Sequence, residues 1–266
     1  EGRPDVTVVD HIKLFRNRPD LQFEHRIHEQ ILPAIRRAGG DVEFTDIHVI
    51  HSGSDHSAQT RQRKLERDFK LLHLDLAERP DHPFVLFNLG MTYADAGELD
   101  EAEHWLRKCL EVSHPQESHV RKAYALLISV LYRKQHYIEA DENCRRGLAF
   151  YPDDKELLFR QAMLHHAQGR LEEAARTYEA VIRNPTERHF ASIDADLATT
   201  KAQHNLQIVR HDLAERTRRS FTNTANALTP TLSRESRLLE SPHAVEGESD
   251  PSNQHVFDFS IVTSSP

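Results

Sequence analysis

Long apolar runs are missing from this sequence. No stretch approaches the roughly 20 consecutive apolar residues that a membrane-crossing helix needs, and no signal-peptide pattern opens it. Cysteine is scarce. The two that occur, Cys109 and Cys144, are too few for a disulfide framework and read as small core residues of a protein in a reducing compartment, the cytoplasm. Glycine and proline number only 9 and 12, which excludes a low-complexity chain over the middle and leaves a helical, globular one. A basic excess is lacking too: the formal net charge is −8 with no basic face, so nucleic acid is not an expected partner. Methionine occurs only at Met91 and Met163, and the sequence opens on Glu1. We therefore expect an N-terminal part to lie before it.

What is present is a recurrence. Ala102, Ala140 and Ala174 stand in Leu-Asp-Glu-Ala, Tyr-Ile-Glu-Ala and Leu-Glu-Glu-Ala, at intervals of 38 and 34 residues. Each is expected to begin the second helix of a helical hairpin. Gly90 and Ala102 are small where two helices must cross closely, with Leu86, Tyr93 and Leu106 filling the space around them. Tyr124, Leu127, Leu131, Cys144 and Gly147 play these parts in a second unit, and Leu158, Ala162, Gly169, Tyr178 and Val181 in a third. A period of about 34 residues with this pattern resembles tetratricopeptide repeats. The expected units are 83–116, 117–152 and 153–186.

In that family the repeats stack into a superhelix whose concave wall is built from first helices. The resemblance implies a peptide groove carrying Phe87, Met91 and Asp95, then Ala125, Ser129 and Arg133, then Phe159, Met163 and His166. This wall lacks the Lys/Asn/Arg set with which some relatives grip a peptide carboxylate. Its Phe and Met would suit an apolar peptide, or else a neighbouring segment of the same chain.

Ala58–Arg79 reads as a helix with Leu65, Phe69, Leu72 and Leu76 on one stripe, and residues 58–82 as an unpaired cap on the stack. Thr199–Leu213 reads as a further first helix, within a partial repeat 187–219, with Leu206 at a core position and no apparent partner helix. From Ser220 to Pro266, 21 of 47 residues are Ser, Thr, Asn or Pro, which argues for a disordered tail over 220–266.

Residues 1–57 read differently. Val6–Phe15 and Asp41–His51 are β-like and rich in Val, Ile and Phe. Gln30–Ala38 between them is helical, with Pro33 in its first turn and Gly39-Gly40 ending it. Leu14-Phe-Arg-Asn, Phe23-Glu-His-Arg-Ile-His-Glu-Gln-Ile and Ile50-His-Ser-Gly, in that order, resemble the final part of a bacterial family 2 glycosyltransferase domain followed by tetratricopeptide repeats, a group that includes peptide glycosyltransferases. The expected fold is thus mainly α: a repeat superhelix preceded by a partial α/β remnant of glycosyltransferase A type.

That resemblance implies sugar transfer from a nucleotide-diphosphate donor, with Mg²⁺ or Mn²⁺ in the complete enzyme and no cofactor in this chain alone. It makes Glu29 the candidate base, with His28 and Arg26 beside the acceptor, and His51 a metal or diphosphate contact. A carboxylate near a helix N-terminus stays ionised and can accept a proton. Glu29 and His51 read equally as an ordinary helix-start carboxylate and a loop histidine. Ser54 stands where the family usually has an aromatic. No strand-rich nucleotide-binding half and no Asp-x-Asp metal motif are found, so turnover by this chain alone is not expected. Two functions remain open: a glycosyltransferase fragment whose repeats present a peptide or protein acceptor, or a repeat adaptor that grips a partner's segment.

Overall fold

The structure is a computed structural model that describes residues 7–8, 10–45, 47, 57–184, 193–194 and 196–227. It is mainly helical. After a short strand β1 (Thr7–Val8) and a short helix α1 (Leu32–Arg37) come α2 (Ala58–Glu78), α3 (Pro83–Ala96), α4 (Leu99–Val112), α5 (Val120–Arg133), α6 (Tyr137–Phe150), α7 (Lys155–Ala167) and α8 (Leu171–Arg183). A second short strand β2 (Ile193–Asp194) precedes a π-helical turn at Leu197–Lys201 and the long helix α9 (Ala202–Ala227).

Three helical hairpins, α3–α4, α5–α6 and α7–α8, stack in order, and each second helix also packs on the first helix that follows it. Local chemistry sets the ends. Ser57 caps α2, its Oγ accepting from the Thr60 N–H at 3.3 Å, and Asp154 caps α7, its Oδ1 accepting from the Leu157 N–H at 2.8 Å. Gly97 ends α3 at φ +86°, which lets the Glu98 N–H reach back to the Tyr93 carbonyl at 3.0 Å.

The recurring small residues do what their spacing predicts. Ala102, Ala140 and Ala174 are all fully buried. At Gly90 a Cβ would lie 2.6 Å from Leu106 Cγ, so α3 and α4 approach too closely for any side chain there. Around these crossings one core cluster runs through α3–α6 and on to Leu157 and Leu164 of α7. A second joins Phe159 and Met163 of α7, Tyr178 of α8, and Leu197, Ala202, Leu206 and Val209.

Both ends of the stack are closed by the chain itself. At the far end α9 lies on α8 as a first helix, and among the described residues no second helix follows it. Gln203, His204 and Gln207 of α9 are exposed, while Arg210 reaches back to Glu179 of α8 at 2.9 Å. Helix continues to Ala227, which corrects the expectation of disorder over its first residues, 220–227. Arg216 pairs with Glu172 of α8 and Arg218 with Glu215, which supports that helical extension. Residues 228–266 lie outside the described residues.

At the near end the described residues before α2 carry little strand. β1 pairs antiparallel with β2, Thr7 opposite Asp194 and Val8 opposite Ile193. Residues 10–15 and 41–45, expected as strands, have no strand partner, and the rest of those expected strands, 6, 9, 46 and 48–51, lies outside the described residues. A β-rich composition gives a strand only where another edge can accept its backbone groups. The helix expected over Gln30–Ala38 is shorter, Leu32–Arg37, with Pro33 in its first turn and Gly39 at φ +74° after it. Its inner face, Ile31, Ala34 and Ile35, packs on Ile12 and Leu21.

Candidate functional site

The first helices α3, α5 and α7 lie side by side and form one wall. Its residues differ in how far they remain accessible. In α3, Phe87 is buried, its ring 5.5 Å from that of His119 and 6.2 Å from that of Phe84. Met91 and Asp95 are half-buried, and the Asp95 carbonyl accepts from Arg61 Nη2 at 2.8 Å. In α5, Ala125 is buried, and Ser129 donates to the Ala125 carbonyl at 2.8 Å. Arg133 is exposed, its Nη1 3.5 Å from the Ala94 carbonyl.

In α7 the wall is closed from within. Phe159 and Met163 are 1% and 3% exposed, with Phe159 edge-on to Tyr178 at 5.5 Å and both in the cluster completed by the π-helical turn and α9. His166 Nε2 lies 2.8 Å from Asp212 Oδ2 of α9. The chain's own neighbouring segment therefore takes up this part of the expected groove. The wall that a partner can reach without rearrangement is Met91, Asp95 and Arg133, flanked by half-buried Phe84, Tyr132 and His166.

At the starts of α5 and α7 sits a charge cluster that the sequence reading missed. Arg121 Nη1 is 3.0 Å from Asp154 Oδ2 and 3.2 Å from Glu156 Oε2, and Lys122 Nζ is 2.7 Å from Glu156 Oε1. All four side chains are nearly fully buried. Burial opposes ionisation of Glu156, but Lys122, Arg121 and Arg160 outweigh it and hold the carboxyl at about 2. The signal lay in Arg121-Lys122 and Asp154-x-Glu156, one repeat apart at the starts of successive first helices.

Of the residues assigned to a transferase centre, Arg26, His28 and Glu29 share one loop but do not face one way. Backbone hydrogen bonds between Glu24 and Gln30, 3.0 Å in each direction, close a loop whose inner side chains face α2 and α3. Arg26 donates through its N–H to Asp75 Oδ2 at 3.1 Å and through its guanidinium to Asp75 and Glu78. Ile27 packs with Leu72 of α2 and Val85 and Leu89 of α3, and His28 faces Asp68, Lys64 and Arg67 of α2. Glu29 points away and is exposed. It also precedes the N-cap Ile31, so the helix-start position expected of it is not observed. His51 lies outside the described residues.

An Asp-x-Asp spacing does occur at Asp194 and Asp196. There Lys201 Nζ binds Asp194 Oδ2 at 2.7 Å and the Asp196 N–H binds Asp194 Oδ1 at 2.9 Å, which closes a turn. Among the described residues no three His, Cys, Asp or Glu side chains are placed to hold a metal ion, and no helix is long and apolar enough to cross a membrane. The thiols of Cys109 and Cys144 are each pushed up to about 12, chiefly by burial, so neither is a nucleophile.

Comparison with known proteins bears on the repeats. Family models described as tetratricopeptide repeat match residues 88–114 and 126–188, and the chain carries such repeats. A TPR repeat-containing protein of Synechococcus elongatus is 28% identical over 134 residues, 48% of this chain. The match spans about a third, 33%, of that relative. Among solved structures, MamA aligns with a TM-score of 0.42 at 20% identity, over 49% of this chain and 75% of its own. YrrB, described as a TPR protein with an unusual peptide-binding site, aligns with a TM-score of 0.45 at 18% identity, over 59% and 76%. The first repeat domain of Spaghetti, bound to an HSP90 peptide, aligns with a TM-score of 0.41 at 21% identity, over 50% and 93%.

Proposed function

We propose that this chain is an interaction module whose repeats hold a peptide or protein segment against the first-helix wall. The observation that carries this reading is the side-by-side stack of α3, α5 and α7, with Met91, Asp95 and Arg133 open above a buried floor. Covering what remains exposed of the half-buried Met91 side chain contributes only part of the roughly 1.5–3 kcal/mol of a full burial, and Arg133 supplies a charged hydrogen-bond donor at the rim. Phe87 serves as the floor beneath the contact, while α9 takes up Phe159, Met163 and His166 and the Ser129 hydroxyl is held by the Ala125 carbonyl. A preformed surface of this kind binds without first ordering its own side chains.

A finer reading places the same wall behind an upstream sugar-nucleotide domain, where it would present an acceptor. That reading rests on the Arg26–Gln30 and Ile50–Gly53 motifs. Arg26 and His28 face α2 while Glu29 faces solvent, so the adaptor reading has more to stand on.

The test is selection of a peptide library on the immobilised chain, followed by Kd measurement on the selected peptides. Met91→Ala and Arg133→Glu should each weaken binding about tenfold, equivalent to about 1.4 kcal/mol, with the helical content of the chain retained. Selected peptides that bind both variants as tightly as the parent would sink the reading. Sugar transfer by this chain from a nucleotide sugar would replace it with the transferase.

A further inference from the structure

The first end of the repeat stack is held by a loop that carries strain and histidines at the same place. Between the bonded pair Glu24 and Gln30, both His25 and His28 adopt left-handed backbone, φ +73° and +56°. Neither is glycine, and such conformations persist only where surrounding contacts impose them. The imposing contacts are Arg26 on Asp75 and Glu78, and Ile27 on Leu72, Val85 and Leu89.

At the foot of this loop three imidazoles from three different segments meet. His25 of the loop lies 4.8 Å, ring to ring, from His82 at the start of α3 and 5.0 Å from Phe84. Phe84 in turn touches His119, at the start of α5, at 5.9 Å. The His25 side chain is 3% exposed, and the Nδ1 atoms of His25 and His82 are both buried without a hydrogen-bond partner. The nearest anion to His25 is Asp75, 3.9 Å away, and Arg26 already bonds both its oxygens. An imidazolium formed here would be desolvated with no acceptor within hydrogen-bond distance of its Nδ1.

We propose that the Glu24–Gln30 loop is an acid-released latch: when the imidazoles at its foot take up protons, it lets go of α2 and α3 and uncovers Leu72, Val85 and Leu89.

The surrounding charges support the direction. Burial, then His82 and Arg79, push His25 down to about 4 against the opposite pull of Asp75 and Glu24. Burial and His82 push His119 down to about 4, where Ser113 Oγ is its 3.1 Å partner. His82 is lowered by burial and Arg79 against Glu24, Glu117 and Asp75. His28 is lowered by burial, Lys64 and Arg67 against Asp68 and Glu29. A histidine whose docked pKa lies below its free value of about 6.5 stabilises docking above that pH. Its contribution is lost as pH falls from about 6.5 toward 4.

Hydrogen exchange of the full chain, corrected for intrinsic rates, tests the latch at pH 7.5 and 5.0. The amides of residues 24–31 should lose protection at least tenfold at pH 5.0 while α5–α8 keep theirs. The double variant His25→Asn with His82→Phe should move the midpoint of that loss downward by at least half a pH unit, since Asn accepts a left-handed backbone and Phe keeps the ring contact without a titrating group. A loop that stays protected at pH 5.0, a loss shared with α5–α8 at one pH, or an unmoved midpoint each overturns the proposal. If the variant does not dock its loop at pH 7.5, NMR titration of His25 and His119 in the unaltered chain decides. Midpoints below 5 support the latch, and midpoints near 6.5 overturn it.

Discussion

Gln135 stands at φ +62° in the turn between α5 and α6, at the place that Gly97 and Gly169 hold in the other two hairpins. The hydrogen bonds are the same: Gln135 N–H to the Tyr132 carbonyl and His136 N–H to the Leu131 carbonyl, both 2.9 Å. A side chain there works against the left-handed backbone. We expect Gln135→Gly to stabilise the chain by about 0.5–1 kcal/mol, a rise in Tm of a few degrees. Differential scanning calorimetry checks this, and a fall in Tm would mean that the turn is not strained. Gly97 and Gly169 were legible in the sequence as turn residues because glycine marks this conformation. Gln135 was not, because it adopts the same conformation without carrying the signal. Arg26 and His28 illustrate the same gap. Their identities suggested a reaction centre, and only the fold reveals that Asp75, 49 residues further on, is where Arg26 goes.

Among the elements, the seven helices from α2 to α8 were legible in kind, because each shows an apolar stripe or a recurring small residue at helical spacing. α9 was legible only in part. Its inner face, Ala202, Leu206 and Val209, has the stripe, but its length and the preceding π-helical turn have no local signature. Its role is set by what it covers. A chain ended after Asp194 loses Leu197, Ala202, Leu206 and Val209 from the cluster around Phe159, Met163 and Tyr178. That truncation should cost α7 and α8 at least about 3 kcal/mol, since each buried Leu or Val contributes roughly 1.5–3 kcal/mol. Hydrogen exchange should report the loss in α7 and α8 and little change in α3 and α4. Equal protection in both chains would show that α9 is not a structural cap. Of the first strand expected before α2 only Thr7–Val8 pairs, and its partner is the distant Ile193–Asp194: composition is local, while strand pairing needs an edge to accept it.

For the molecule as a whole, stability is shared between two core clusters that meet at α7, with Tyr132 packed against both. The charge cluster of Arg121, Lys122, Asp154 and Glu156 ties the halves at that boundary. Glu156→Gln leaves Lys122 and Arg121 buried with one carboxylate fewer, and breaking one side of such a set costs roughly 3–5 kcal/mol. Stacked repeats contact only their neighbours, so that loss should fall at the seam. Urea unfolding of the variant should then resolve into two transitions, α7–α9 before α3–α6. A single sharp transition at the parent's midpoint would show that the cluster does not couple them.

The sequence by itself determined the repeat: a small residue every 34 to 38 positions leaves few ways to pack other than close helical hairpins in series. That information is local and periodic, so it survives in the order of residues alone. Tertiary structure decided what the repeats leave open. Phe159 and Met163 became floor because α9 folds back on them. Met91 and Arg133 stayed accessible because nothing described packs over them, and His25 met His82 and His119 because three separate segments end at one place. Such outcomes depend on which distant surface packs best on an apolar face or a buried charge, and spacing along the chain carries no record of that.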